Sequence, residues 1–132
     1  MIQANEIRLG NWVSHTNDNG TFNLQVEEIR PTGIITTWNG GSWFVSFDKI
    51  VAIPLTEEIL LKAGFEKDTG EFYLYKDITV RKTYYSDDFW RFIFKQQRIK
   101  DIKYLHDLQN TIFALTGENP VLGLKILNDA IK

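Results

Sequence analysis

Three short glycine- and asparagine-rich stretches divide the first half of the chain: Asn17-Asp18-Asn19-Gly20, Pro31-Thr32-Gly33 and Asn39-Gly40-Gly41. Their residues tolerate the positive φ of tight turns, and a spacing of about a dozen residues is the rhythm of successive hairpins. Strand patterns lie between them. Phe22, Leu24 and Val26 alternate with Asn23, Gln25 and Glu27, and Trp43, Val45 and Phe47 alternate with Phe44, Ser46 and Asp48, which is the period of a half-buried strand. Ile34 to Trp38 is rich in β-branched residues and sits between two turns. With Asn11 to Ser14 before and Ile50 to Ile53 after, the pattern predicts about five short strands. So short a sheet must close or be covered to hide its edges, so the expectation is an SH3-like small antiparallel barrel or sheet over residues 1–55.

The second half reads as α+β. Thr56 is placed to cap a helix that starts with Glu57 and Glu58, Leu55 can staple onto Leu60, and Gly64 followed by Phe65 is a left-handed stop. Three strands are expected next, at Phe72 to Tyr75, Ile78 to Tyr84 and Phe89 to Lys95. In Ile102 to Thr116 the residues Leu105, Leu108, Ile112 and Leu115 fall on one helical face, and Gly117 ends the run. Asn119-Pro120 then opens a last helix with the stripe Val121, Leu124, Leu127 and Ile131. The expected order over residues 56–132 is therefore α-β-β-β-α-α, with the last two helices covering the second sheet.

Composition removes several chemistries. With no cysteine there are no disulfides and no thiolate ligands or nucleophiles, and only His15 and His106 offer imidazole. Neither His-x-His nor His-x-x-x-His occurs, and Asp107, beside His106 on a helix, is expected to point elsewhere, so no metal site is anticipated. No serine lies in a Gly-x-Ser-x-Gly elbow, and the acid pairs Glu27-Glu28 and Asp87-Asp88 fall in strand or turn contexts where neighbours diverge. Gly40-Gly41 lacks the Lys-Ser/Thr of a phosphate loop. The chain is thus read as a protein without catalytic residues or cofactor. It shows neither a basic segment followed by an apolar run nor an apolar run of membrane-spanning length, and the expectation is a cytoplasmic protein.

Three stretches, Asn5 to Val13, Ile53 to Phe65, and Ile102 to Asn110 continued by Phe113 to Glu118, resemble in order an uncharacterised family of small proteins of Bacteroidetes and their phages and prophages. They cover 37 of the 132 residues. That family carries no assigned activity, so the resemblance implies a phage or mobile-element setting and a host-cell cytoplasmic location. Family members often stop soon after Thr116-Gly117-Glu118, where this chain continues.

Local charge is less even than the net of −2. Residues 1–55 carry −2 and residues 56–132 are neutral, yet Arg81, Lys82, Arg91, Lys95, Arg98, Lys100 and Lys103 give the 81–103 stretch a net of +4 against Asp87, Asp88 and Asp101. Tyr84, Tyr85, Phe89, Trp90, Phe92 and Phe94 lie among them. Phosphates select Arg or Lys and bases select a π surface, so this mixture is what a nucleotide requires. Strand geometry offers a second reading, in which Trp90, Phe92 and Phe94 form a core face and Arg91 and Lys95 its solvated back. The tryptophans of the first half raise the same choice: Trp12, Trp38, Trp43 and Phe44 flank the loops and either pack a two-sided sheet or form an interaction surface.

Three functions follow from these residues. The first is a non-catalytic binder of a small anionic nucleotide-like ligand through Trp43, Trp90, Arg91, Arg98 and Lys100, with sequestration of a host defence signal as its role in a phage setting. The second is a protein-interaction module, or a homo-oligomer, docking through Trp12, Trp38 and Phe44. Nucleic-acid binding through the basic 81–103 stretch is the third, and overall acidity weighs against it.

Overall fold

The hairpin rhythm of the first half becomes five strands in a computed structural model that describes residues 4–38, 40–68 and 70–118. These are β1 (Trp12–Asn17), β2 (Gly20–Gln25), β3 (Glu28–Arg30), β4 (Gly33–Trp38) and β5 (Gly41–Ser46). They do not close into a barrel. β1 and β2 make a two-stranded antiparallel sheet, and β3, β4 and β5 make a separate three-stranded one. The break is local to two residues: the Val26 amide donates to Asn11 O at 2.8 Å, whereas the Glu27 amide donates to Ile35 O at 3.0 Å. Adjacent residues therefore serve different ladders, and of the expected small antiparallel barrel or sheet the barrel gives way to two small antiparallel sheets. Ile50 to Ile53, read as a fifth strand, contributes one bridge, in which Val51 and Ser14 exchange bonds of 2.8 Å. The 3-10 turn Phe47–Lys49 separates it from β5.

Alternation works as expected within this part. Val13, Leu24, Val26, Ile34, Val45 and Ile50 pack together with Ile7, and Phe22, Trp43 and Phe47 lie half-buried against them. Gly33 is required by close approach: a Cβ there would lie 2.3 Å from Val45 O and 2.7 Å from Phe44 Cζ. The Phe44 ring thus covers the gap that the glycine leaves, an aromatic placed over a strand glycine.

The helix α2 (Leu105–Thr116) belongs with these sheets. Residues 4–53 and 105–118 form one compact unit and residues 54–104 a second. Leu105, Leu108 and Ile112 are buried as the stripe predicts, but polar side chains fix the register. Gln109 Oε1 accepts from the Trp12 amide at 2.8 Å while its Nε2 donates to Gly10 O at 2.9 Å. Asn11 Nδ2 donates to Asn110 Oδ1, whose own Nδ2 donates to Glu6 O, both at 2.8 Å. The helix expected from Asn119 lies outside the described residues.

In the second unit α1 (Glu57–Lys62) forms as its caps dictate. Thr56 Oγ1 accepts from the Ile59 amide at 3.2 Å, and at the other end Phe65 N donates to Leu60 O and Gly64 N to Leu61 O, with Gly64 at φ +102°. That pair of bonds is a Schellman stop. The sheet that follows has five strands instead of three: β6 (Glu66–Lys67), β7 (Phe72–Tyr75), β8 (Ile78–Lys82), β9 (Trp90–Phe94) and β10 (Gln97–Ile102), paired antiparallel in chain order. β10 escapes the sequence pattern for two reasons. Its hairpin turns on Lys95 and Gln96, at φ 49° and 67°, a left-handed pair usually built with Asn or Gly. A bulge between Arg98 and Lys100 also breaks its alternation. Among the described residues no helix is long and apolar enough to cross a membrane.

Candidate functional site

Antiparallel register assigns the side chains of the five-stranded sheet to two faces, because directly opposite residues share a face. Val80, Phe92, Trp90, Tyr73 and Ile102 are buried on one of them. Trp90 is 1% exposed; its ring meets Tyr73 edge-on at 5.6 Å and its Nε1 donates to Leu55 O at 3.1 Å. The core reading of the Trp90 and Phe92 alternation therefore describes the molecule, and Trp90 is not a stacking platform.

The opposite face carries the charge. Phe72 pairs with Arg81, Arg81 with Arg91 and Arg91 with Asp101, giving one row across four strands. Leu74, Thr79, Ile93 and Arg98 form the next row. Asp101 serves two cations: its Oδ1 lies 3.4 Å from Arg91 Nε, and its Oδ2 lies 3.3 Å from Arg98 Nη2 and accepts from the Tyr85 hydroxyl. Arg81 has no salt bridge among the described residues, and its guanidinium lies 5.2 Å from the Phe72 ring centre. Setting two arginines directly opposite is unfavourable unless a counter-charge is present. Beside Arg91 stands Tyr84, 86% exposed, with the Arg91 guanidinium 5.9 Å from its ring centre, and Tyr85 meets it edge-on at 6.3 Å.

Arg81 and Tyr84 also border a cleft of about 570 Å³ beside Trp90 and Tyr73. Its cations are Lys67, Arg81, Lys82 and Lys103, and Glu57, Glu71, Asp87 and Asp88 equal them in number, so net charge in the cleft selects neither sign. Lys67 is held 3.4 Å from Glu57, whereas Lys82 lies over the Trp90 ring without a salt bridge among the described residues.

The residues singled out in the sequence are thus only partly assembled. Arg91 and Arg98 meet through Asp101. Lys100 is exposed but sits opposite Phe92, on the other face from Arg98, because of the bulge. Trp43 belongs to the other unit, half-buried and edge-on to His15 at 5.4 Å. Of the interaction surface, Trp12 is buried, Phe44 is exposed over Gly33, and Trp38 ends β4 opposite Gly41. Arg81, Tyr84 and Tyr85 belong to the basic and aromatic 81–103 stretch but not to the named ligand set, and Phe72 belongs to neither. The register that sets Phe72 opposite Arg81 turns on Lys76, at φ 53°, where the sequence shows no glycine.

Burial raises the Asp101 carboxyl, but hydrogen bonds from Tyr85 and Arg91 and the charges of Arg98 and Arg91 outweigh it, leaving the group below its ordinary value. The unfolded chain then binds the proton more tightly, so stability rises with pH across this window. The contribution is complete above the ordinary carboxylate value of about 3.9 and disappears as pH falls through the lowered folded value. Asp101→Asn is expected to flatten the acid limb of the stability–pH curve, as urea midpoints between roughly pH 2 and 5 would show; an unchanged slope would mean that Asp101 is not held by its arginines.

Both histidines are buried. His15 Nδ1 lies 3.0 Å from Lys49 O. Asp107 does not point away from His106: its Oδ1 and Glu6 Oε1 each lie 3.7 Å from His106 Nε2. No family model matches the chain. Searches of curated proteins and of solved structures likewise give no match.

Proposed function

We propose that the chain is a non-catalytic binding protein for a nucleotide-like anionic ligand, held at the Arg81–Arg91–Tyr84 end of the second unit's sheet. The observation that supports this reading is the opposed arginine pair beside an exposed tyrosine. Arg81 and Arg91 can share one phosphate through charge-assisted bonds, and doing so relieves their mutual repulsion. Tyr84 offers a base its ring, and the adjoining cleft gives the remainder of the ligand a concave wall. The resemblance to a family of Bacteroidetes and their phages suggests the role: sequestering a host signalling nucleotide in the cytoplasm. Arg98 strengthens the local field, while Lys100, Trp43 and Trp90 drop out of the ligand set.

A thermal-shift panel of mononucleotides, cyclic mononucleotides and cyclic dinucleotides tests it, since a ligand of the native state raises Tm with occupancy. At least one member should raise Tm. Tyr84→Ala should then weaken that member by about 1–3 kcal/mol, a loss of tenfold or more, with the ligand-free Tm unchanged because the side chain is solvated. Arg81→Ala should weaken it by a similar amount. A panel without any shift, or variants that bind as the parent does, would refute the proposal.

A further inference from the structure

The first unit brings metal-ligating side chains from its two ends to one place. Glu6 closes the 3-10 turn Ala4–Glu6, and His106 and Asp107 lie in the first turn of α2. One turn beyond His106, Asn110 holds the Glu6 carbonyl at 2.8 Å and is itself held by Asn11, so the turn is tied to the helix independently of the three side chains. One ligand atom from each residue lies within 4.8 Å of the other two. The His106 imidazole is fully buried, whereas the Glu6 and Asp107 side chains are 40% and 27% exposed, which leaves a solvent approach on the carboxylate side.

The spacing of the three side chains suits a shared ion. His106 Nε2 is 3.7 Å from each carboxylate oxygen, beyond the ~3.2 Å limit of a good N–H···O bond. Two ligands each ~2.1 Å from one ion at a near-tetrahedral angle stand about 3.4 Å apart, close to this spacing. One imidazole nitrogen and two carboxylate oxygens form a mixed donor set suited to zinc-class cations, not the all-oxygen shell that calcium and magnesium favour. The positive end of α2 opposes a cation there, so each carboxylate is needed to offset it.

We propose that Glu6, His106 and Asp107 form a three-ligand site for a divalent transition-metal cation of the zinc class, completed by water. The site lies in the other unit from the proposed nucleotide face and does not depend on that reading. It is tested on the full chain, stripped with a chelator and titrated calorimetrically with Zn²⁺, with Co²⁺ as a spectroscopic substitute.

One equivalent of Zn²⁺ should bind and raise Tm, and Co²⁺ should give the intense visible absorption of a low-coordinate nitrogen–oxygen site. Glu6→Gln and Asp107→Asn should each lower the affinity at least tenfold and abolish that absorption. Both side chains are partly exposed, so these variants should keep the metal-free Tm; His106 variants are avoided because the ring is buried. Absence of binding, or equal affinity in both variants, would overturn the proposal. So would a carboxylate variant that loses metal-free stability without any zinc response, the mark of a purely structural contact.

Discussion

Trp90→Ala is expected to lower the unfolding free energy by about 3–5 kcal/mol, the range for truncating a large aromatic in a packed core. The ring is almost wholly buried in β9, between Lys82 and Ile102 in register, and rests edge-on against Tyr73. Truncation removes that apolar area and leaves a void, and it also deprives the Leu55 carbonyl of its indole donor. Trp90→Phe separates these effects: it keeps most of the ring but not the N–H, and should cost about 1–2 kcal/mol. Urea midpoints that fall while the m value stays constant would show the loss is one of stability. A cost below about 1 kcal/mol for the alanine variant would contradict the core assignment and return Trp90 to the list of ligand platforms.

Gln109→Leu should cost about 2–3 kcal/mol even though it adds apolar volume, because the side chain is the buried acceptor for the Trp12 amide. Gly10 O is less affected, since Gln25 Nε2 also reaches it at 3.2 Å. An orphaned buried N–H is the larger penalty. Gln109→Glu gives a sharper comparison. Protonated, the carboxyl can accept from Trp12 and donate to Gly10 O as the amide does; ionised, it faces a carbonyl in a buried site. Its folded-state proton affinity should therefore be raised, so the rescue is complete below the ordinary glutamate value and is lost as pH rises through the folded one. Urea midpoints at roughly pH 4 and pH 7 should differ more for this variant than for the parent. Equal pH responses would show that Gln109 is not the clasp of α2.

These cases separate what could be read in the chain from what could not. Local signals were legible: Thr56, Gly64 and Phe65 delimit α1 through bonds within one short segment. The period of two offered Trp90 and Phe92 as a core face beside the reading that made Trp90 a ligand residue, and burial decides for the core face. The partner of α2 was not legible, because its stripe of leucines says only that a face is buried, while Gln109, Asn110 and Asn11 choose the surface through hydrogen bonds that no periodicity encodes. The closed-barrel alternative failed at Val26 and Glu27, where a change of ladder between adjacent amides leaves the hydrophobic pattern intact. The candidate site was half legible. The basic and aromatic stretch is visible as composition, but the opposition of Arg81 to Arg91 depends on the hairpin registers of β7 to β9.

The bulge in β10 has a bearing on how copies of this chain can associate. β10 is the outermost strand of its sheet among the described residues, and a flat outer strand would invite a second molecule to extend the ladder. Its interrupted register and its Arg98 and Lys100 make it a poor template, and at the far side β6 has only two residues to offer. Backbone-to-backbone polymerisation is therefore discouraged at both margins, which leaves side-chain surfaces as the favoured route for any self-assembly of the second unit.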